Sequence, residues 1–131
     1  MQEKVVITGM GTVNPLGLSV RESWENAVNG VSGVGPITLF DPKNMLVKIA
    51  CEVKNFQPEV YMHAREARRR DRFEQLAAAA AKEAIEQAGL EVAESESGRV
   101  GVIVSSAIGG LDSLQSAVLT VDHEGTRTGV A

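Results

Sequence analysis

Five consecutive alanines, at positions 77–81, lie inside a predicted helix and constrain the fold more than any other segment. The helix is predicted to begin at Asp71, because Glu74 stands three residues later as in a capping box, and to stop at Gly89. Small apolar side chains surround this helix for more than a turn, so it has no polar face there. Such a helix needs close neighbours on several sides. The alanines therefore indicate the middle layer of a layered α/β domain.

Three short segments are predicted strands. Residues 4–8 (KVVIT) and 99–105 (RVGVIVS) are β-branched runs typical of buried strands, and residues 46–53 (LVKIACEV) alternate like a strand with one wet face. Residues 31–45 contain glycines and prolines and are expected to form a loop. Strands separated by helices predict a mostly parallel sheet. Two or three strands are too few to complete such a sheet, so we expect its other strands to come from elsewhere.

Three further helices are predicted from capping signals and charge. The residues around Ser19 have the spacing of a capping box, and the helix that begins there is expected to end near Gly30. Residues 61–70 are expected to form a short basic helix. Asp112 is the predicted N-cap of a helix that runs to about Val121.

Length, composition and charge limit the class of protein. The 131 residues suffice for one domain with a core, and 44% of them are hydrophobic, which is ordinary for a folded protein. The net charge of −4 argues against a general nucleic-acid binder. The N-terminus lacks a secretory-signal pattern, and the longest apolar run, residues 76–81, is far shorter than the ~20 residues of a membrane helix. We therefore expect a soluble, cytoplasmic protein that does not span a membrane.

The glycine-rich segment at residues 9–17 (GMGTVNPLG) partly matches a dinucleotide-binding loop. That fingerprint needs a third glycine and a helix that opens directly from it, so that pyrophosphate meets the helix N-terminus. Here the third position is Asn14, and Pro15 follows it. The segment is instead predicted to be a tight turn between a strand and a loop.

No catalytic or metal-binding role is predicted for the cysteine or the histidines. Cys51, the one cysteine, excludes an internal disulfide and a cysteine-based metal cage. It lies within a predicted strand, without a histidine close in sequence, and is expected to be a buried packing residue. His63 and His123 have no partners at metal-ligand spacing and are expected at the surface.

Five arginines lie between residues 63 and 72 (HAREARRRDR), with only two acidic residues among them, a local net charge of +3. On one continuous helix, four of them would share a face: Arg65, Arg68, Arg69 and Arg72. One interpretation is a solvated face paired internally with Glu66 and Asp71. The other is a surface that binds an acidic or phosphorylated partner.

Three segments, in order, resemble the condensing enzymes of the thiolase-like superfamily. They are VVITGMGTVNPLG (5–17), RRRDRFEQLAAAAAKEAIEQAGL (68–90) and RVGVIVSSAIGGL (99–111). The chain is similar to β-ketoacyl-acyl carrier protein synthases of the type II elongation class. The resemblance implies a thiolase-like layered fold (α-β-α-β-α), of which residues 1–131 form part of the N-terminal half.

The resemblance also implies a reaction. Members of this family carry out a decarboxylative Claisen condensation in fatty-acid biosynthesis, joining an acyl thioester to malonyl-acyl carrier protein. They use a cysteine nucleophile and two histidines, need no cofactor and act as homodimers. None of those catalytic positions falls in this sequence, and Cys51 matches a small strand residue of the family instead.

Two roles carry over to matching positions by resemblance. The basic residues before the Asp-Arg-Phe motif face the acyl carrier protein in this family, which implies docking by Arg65, Arg68 and Arg69, with Arg127 as a further candidate. Ile108, in the S-A-I-G-G segment, matches a residue that lines the acyl-chain pocket. Two alternatives stand beside the synthase: a non-catalytic thiolase-like interaction module, and a polyketide-type ketosynthase.

Overall fold

A computed structural model describes residues 4–124, and helices dominate them. The α-helices are α1 (Val20–Val28), α2 (Ala64–Ala67), α3 (Arg72–Ala88) and α4 (Leu111–Glu124). The strands are β1 (Gly35–Pro36) and β2 (Ile49–Ala50), and two short 3-10 helices cover Pro58–Val60 and Glu94–Arg99.

The longest helix, α3, begins and ends where the sequence predicts. Asp71 is its N-cap and forms a capping box with Glu74, whose carboxylate accepts the Asp71 N–H at 3.1 Å. Gly89 ends the helix in the left-handed conformation, with φ of 58°, which a glycine adopts at little cost. Both predicted boundaries of the alanine helix are therefore confirmed.

The glycine-rich segment lies directly on the backbone of α3. A Cβ atom placed on Gly11 would stand 1.8 Å from the Ala80 carbonyl oxygen, and one on Gly9 would stand 2.1 Å from that of Ala84. Only glycine permits this approach. On a neighbouring face of α3, Val104 lines a concave surface together with Phe73, Ala77, Ala78 and Ala81. The small side chains of α3 thus admit chain neighbours at close range.

The sheet differs from the one predicted. Residues 4–8 and 99–105 are not strands, and their apolar side chains are exposed, up to 96% for Val5 and 97% for Ile103. A strand requires a ladder partner, and these segments have none within residues 4–124. The sheet that does form is a short antiparallel pair, with Gly35 opposite Ala50, so the predicted parallel sheet is not formed in the described part of the chain.

Two segment predictions near this sheet were also wrong in extent. Residues 46–53 contribute only Ile49–Ala50 to a strand, and residues 31–45, expected to be a loop, supply β1. Cys51 follows β2 with its side chain exposed rather than buried, because the strand ends before it and nothing covers it within the described residues.

The predicted basic helix over residues 61–70 is interrupted. A separate 3-10 helix at Pro58–Val60 precedes the segment. Within residues 61–70 only Ala64–Ala67 are helical, as α2, and the chain then turns before Asp71. Gln75 stabilises that turn, since its side-chain amide donates to the carbonyls of Ala67 (2.8 Å) and Arg70 (3.0 Å). These bonds supply partners for carbonyls that a helix end leaves unpaired.

The predicted cap of α1 is confirmed, whereas the predicted cap of α4 is wrong. The Ser19 hydroxyl accepts the Glu22 N–H at 3.2 Å, and Gly30 follows α1 with φ of 68°. The reciprocal bond differs, because the Glu22 carboxylate accepts the N–H of Leu18 rather than that of Ser19. Helix α4 begins at Leu111, one residue before the predicted cap, and Asp112 lies in its first turn.

Few apolar side chains are buried in the described residues. The buried ones are Phe56, Ala67 and Ala79, all on or next to α2 and α3. Between residues 4 and 124, no helix combines the length and the apolar character that a bilayer crossing requires.

Candidate functional site

The arginine-rich segment forms a turn between two helices, not one helical face. Arg65 lies in α2, Arg68 is the C-cap of α2, and Arg69 and Arg70 lead into the N-cap Asp71. We call residues 68–71 the arginine turn. The side chains of Arg65, Arg68, Arg69 and Arg70 are exposed.

The arginine turn is not neutralised by its own acidic residues. Within residues 4–124 the ion pairs are Arg21–Glu25, Lys43–Asp41, Lys82–Glu86 and Arg99–Glu96. Neither Glu66 nor Asp71 takes part in them, so the proposed internal pairing is not observed. Asp71 is engaged elsewhere: it caps α3, and its carboxylate accepts the Ser113 hydroxyl. The positive charge of the turn therefore faces solvent.

Arg72 does not lie with the other arginines, and its contacts stabilise the fold. Its Nη2 donates to the Val53 carbonyl at 3.2 Å, and its guanidinium lies 5.2 Å from the centre of the Phe56 ring. Phe56 in turn stacks on Tyr61, with ring centres 5.4 Å apart. The prediction that Arg72 shares a face with the other arginines is therefore wrong, because the turn at Asp71 changes the direction of the chain.

The arginine turn borders the segment that contains Ile108. Arg68, Arg69, Arg70 and Asp71 line a concave surface of about 600 Å³ together with Ser113 of α4. The SAIGG loop, residues 106–110, immediately precedes α4. Ile108 is 72% exposed in that loop. Of the predicted docking residues, Arg68 and Arg69 line this surface and Arg65 does not. The link to Ile108 is through Gly110, two residues further along, which lies against the Asp71 carboxylate. Arg127 lies outside the described residues.

Several backbone N–H groups of the glycine-rich segment already donate hydrogen bonds within the protein. They are therefore not available to bind a phosphate. The Thr12 N–H donates to Glu83 at 2.9 Å, and the Met10 N–H donates to Gln87 at 2.6 Å. Asn14 and Gly17 exchange backbone bonds of 2.9 and 3.1 Å, which closes a tight turn. The Glu83 carboxylate, on α3, accepts the Thr12 N–H that an anionic ligand would need as a donor. The predicted tight turn is present between Asn14 and Gly17, but no strand precedes it at residues 4–8, and Gly9, Gly11 and Gly17 do not adopt a positive φ, so the turn does not depend on glycine torsions there.

Glu83 is a residue whose role sequence analysis missed. Besides the Thr12 N–H, its carboxylate accepts the N–H of Val20, the first residue of α1, at 2.8 Å. One side chain of α3 therefore fixes both the glycine-rich segment and the start of α1. The sequence carries no local signal for this link, because the partners are 63 and 71 residues away.

A second missed carboxylate is Glu52, next to Cys51. It accepts hydrogen bonds from the Thr38 hydroxyl (2.6 Å), the Thr38 N–H (2.9 Å) and the Leu39 N–H (3.2 Å). The bonds from the Thr38 hydroxyl and then from its N–H hold the pKa of Glu52 below the ordinary value, and they outweigh burial, which raises it. Glu52 therefore stabilises the segment after β1, and both of its carboxylate oxygens accept hydrogen bonds there.

The histidines lie at the surface, as predicted. His63 is exposed and caps α2, since its Nδ1 accepts the Arg65 N–H at 3.2 Å. His123 is exposed near the end of α4. Cys51 lies after a strand and not at a helix N-terminus, so the structure offers no helix dipole to activate its thiol.

Comparison with known proteins identifies the family of the chain. Residues 2–130 match the family model described as the N-terminal domain of beta-ketoacyl synthase, so the chain belongs to the β-ketoacyl synthase family. A 3-oxoacyl-[acyl-carrier-protein] synthase 2 from Staphylococcus aureus (strain COL) is 42% identical over 125 residues, which cover 95% of this chain and 30% of that protein. The protein of the same description from Coxiella burnetii is 43% identical over 110 residues, or 84% of this chain and 27% of that protein.

A solved structure shows a similar fold. The ishigamide ketosynthase/chain length factor superposes with a TM-score of 0.61 at 37% sequence identity, over 66% of this chain and 21% of that one. The chain thus spans about 30% of the length of the curated relatives it matches.

Proposed function

We propose that the complete protein carrying this chain is a 3-oxoacyl-acyl carrier protein synthase of fatty-acid biosynthesis. The family match over residues 2–130 and the relatives named for this activity support the proposal. The structural observation that carries it is the position of the unpaired arginine turn beside the SAIGG loop. A carrier-bound acyl chain needs a docking surface and an entry for the chain close to one another.

The proposed reaction is an acyl transfer followed by a decarboxylative condensation. A cysteine thiolate attacks the acyl thioester, and the carrier thiol leaves. Malonyl-carrier protein then loses CO2, and its carbanion attacks the acyl-cysteine, which forms the new carbon–carbon bond and releases the cysteine thiolate. The family resemblance assigns the nucleophile and its two histidines to positions that this sequence does not contain.

Within this chain the proposed roles are binding roles. Arg65, Arg68 and Arg69 would contact the acidic carrier protein, and Ile108 would contact the acyl chain. Exposed arginines attract an acidic partner over about one Debye length, roughly 8–10 Å at ordinary salt. Arg127 is proposed to join them on the strength of the family resemblance alone.

We also propose that residues 1–131 are part of the N-terminal half of a thiolase-like layered fold. The exposed β-branched segments at 4–8 and 99–105 support this, because side chains such as Val5 and Ile103 need a covering layer. Further polypeptide would pair with both segments as strands of an α-β-α-β-α fold. A homodimeric, cytoplasmic protein is the corresponding expectation for the complete molecule.

The direct test is condensation by the natural polypeptide that contains these residues. We expect that polypeptide to be about three times as long as this chain, as its relatives are. Incubated with acyl- and malonyl-carrier protein, it should release CO2 and form a 3-oxoacyl-carrier product. Carrier binding without CO2 release, from a polypeptide no longer than this one, would instead identify a non-catalytic interaction module.

The second candidate is a polyketide-type ketosynthase. The likeness to the ishigamide ketosynthase/chain length factor is the observation that favours it. Product analysis separates the two candidates. A synthase of fatty-acid biosynthesis would extend a fully reduced, saturated acyl chain once and then release the product. A polyketide-type ketosynthase would extend 3-oxoacyl products again without their reduction.

A further inference from the structure

Asp71 and Ser113 join parts of the chain that lie 42 residues apart. The Ser113 hydroxyl donates a hydrogen bond to Oδ1 of Asp71. Asp71 is the N-cap of α3, and Ser113 lies in the first turn of α4. The bond therefore ties the beginnings of these two helices together.

The SAIGG loop rests on the same junction. A Cβ atom placed on Gly110 would stand 2.6 Å from Oδ2 of Asp71, and Gly110 has a φ of 68° that favours glycine. A Cβ atom on Gly109 would stand 2.6 Å from the ring of Phe73. Both oxygens of the Asp71 carboxylate thus face the loop or the helix that follows it.

Asp71 is at the same time the last residue of the arginine turn. Arg68, Arg69 and Arg70 precede it directly, and all three line one concave surface with Asp71 and Ser113. The backbone of Asp71 is fixed by its bond to Glu74. The arginine turn and the start of α4 are therefore joined directly, through the Asp71–Ser113 hydrogen bond.

We propose that Asp71 is a positioning residue that couples carrier docking at the arginine turn to the placement of Ile108. The inference rests on the proposed function and adds a role that the docking and pocket assignments do not contain. An acidic partner bound at Arg68 and Arg69 would fix the arginine turn. The Asp71–Ser113 bond would then fix the start of α4, and with it the preceding SAIGG loop that contains Ile108. The acyl chain that enters past Ile108 is thereby selected while the carrier is bound.

A purely structural role for Asp71 as a helix cap has to be separated from this coupling. Replacing Asp71 itself would disturb the capping box as well as the link to α4. Ser113→Ala removes only the link, because Ser113 takes no part in the cap of α3. Ser116→Ala is the matched control: it makes the same substitution on an exposed residue of α4, three positions further along.

Hydrogen exchange tests the link without any need for catalysis. In the complete protein, backbone amides of residues 114–117, the first hydrogen-bonded turn of α4, should exchange faster in Ser113→Ala than in Ser116→Ala, since the start of the helix loses its anchor. An excess of acidic carrier protein should slow this exchange in the wild type and in Ser116→Ala, but not in Ser113→Ala. Equal exchange in the two variants would overturn the positioning role.

Kinetics test the consequence for substrate choice. The ratio of kcat/KM for a long and a short acyl-carrier substrate should change in Ser113→Ala by at least about twofold, the lower bound for residues that share one hydrogen-bond network. Ser116→Ala should leave it unchanged. The effects of Arg69→Glu and Ser113→Ala should also be non-additive. An unchanged ratio with additive effects would contradict the coupling. A wild-type protein that fails to catalyse condensation would contradict the proposed function, and the hydrogen-exchange result alone would then test the Asp71–Ser113 link.

Discussion

The carboxylate of Glu83, on α3, accepts the N–H of Val20, the first residue of α1, at 2.8 Å. Its second oxygen accepts the Thr12 N–H at 2.9 Å. A negative charge at the beginning of a helix is favourable, because the helix presents unpaired N–H groups and the positive end of its dipole there. One side chain therefore holds the glycine-rich segment, α1 and α3 in a fixed arrangement.

Replacement of Glu83 by glutamine should destabilise the protein. The neutral amide retains one accepting oxygen, so one of the two bonds is lost and the other is no longer charge-assisted; the free energy of unfolding should fall by roughly 1–3 kcal/mol. Urea denaturation measures the change. Glu86→Gln is the matched control, since Glu86 lies on the same helix but makes only a long, exposed pair with Lys82, at 4.0 Å. Equal losses in the two variants would show that the Glu83 bonds contribute nothing specific.

Gly11 should not tolerate a side chain. The Cβ of alanine would stand 1.8 Å from the Ala80 carbonyl oxygen, so the glycine-rich segment has to move away from α3. We expect a loss of about 1–3 kcal/mol in the free energy of unfolding, as for other overpacked sites. Gly98→Ala provides the comparison, because a Cβ there meets nothing within 4 Å. A Gly11→Ala protein as stable as Gly98→Ala would disprove the close contact.

The pH dependence of stability should contain a contribution from Glu52. Its pKa is lowered in the folded protein, mainly by the Thr38 hydroxyl, so folding favours the ionised form. The contribution is fully present above the unfolded pKa, ordinarily 4.5, and is lost as the pH falls through the lower folded pKa. An NMR titration of the Glu52 carboxyl carbon should show the lowered pKa, and Thr38→Val should raise it towards the ordinary value. An identical titration in both proteins would contradict the assignment of the cause.

Local signals in the sequence predicted the helix ends well. Asp71, Gly89 and Ser19 act through bonds to residues within four positions, so their spacing contains the relevant information. The tight turn between Asn14 and Gly17 also follows from a local signal, because Pro15 has a fixed φ that favours a turn.

Long-range relationships were not predictable from the same signals. Residues 4–8 and 99–105 have the composition of buried strands, yet a strand forms only with a partner, and the partner is not a property of the segment. The prediction of a basic helix over residues 61–70 was wrong, because the Gln75 side chain donates to two backbone carbonyls and stabilises a turn. That turn moved Arg72 away from Arg68 and Arg69, and it placed the latter two beside α4.

Charge reversal at the arginine turn is the sharpest test of carrier docking by Arg68 and Arg69. Arg68→Glu/Arg69→Glu in the complete protein replaces two attractive contacts with repulsive ones, each worth about 0.2–1 kcal/mol at an exposed site, so the KM for acyl-carrier protein should rise by about tenfold at low salt. Arg21→Glu/Lys43→Glu carries the same charge change on exposed residues away from the turn. It should leave that KM near the wild-type value.

The comparison is made by steady-state kinetics at several salt concentrations, with acyl-carrier protein and with an acyl-pantetheine thioester that lacks the carrier. We predict an increase in KM for the carrier substrate only, which shrinks as salt screens the charges. An unchanged KM for acyl-carrier protein in Arg68→Glu/Arg69→Glu would show that these arginines do not bind the carrier.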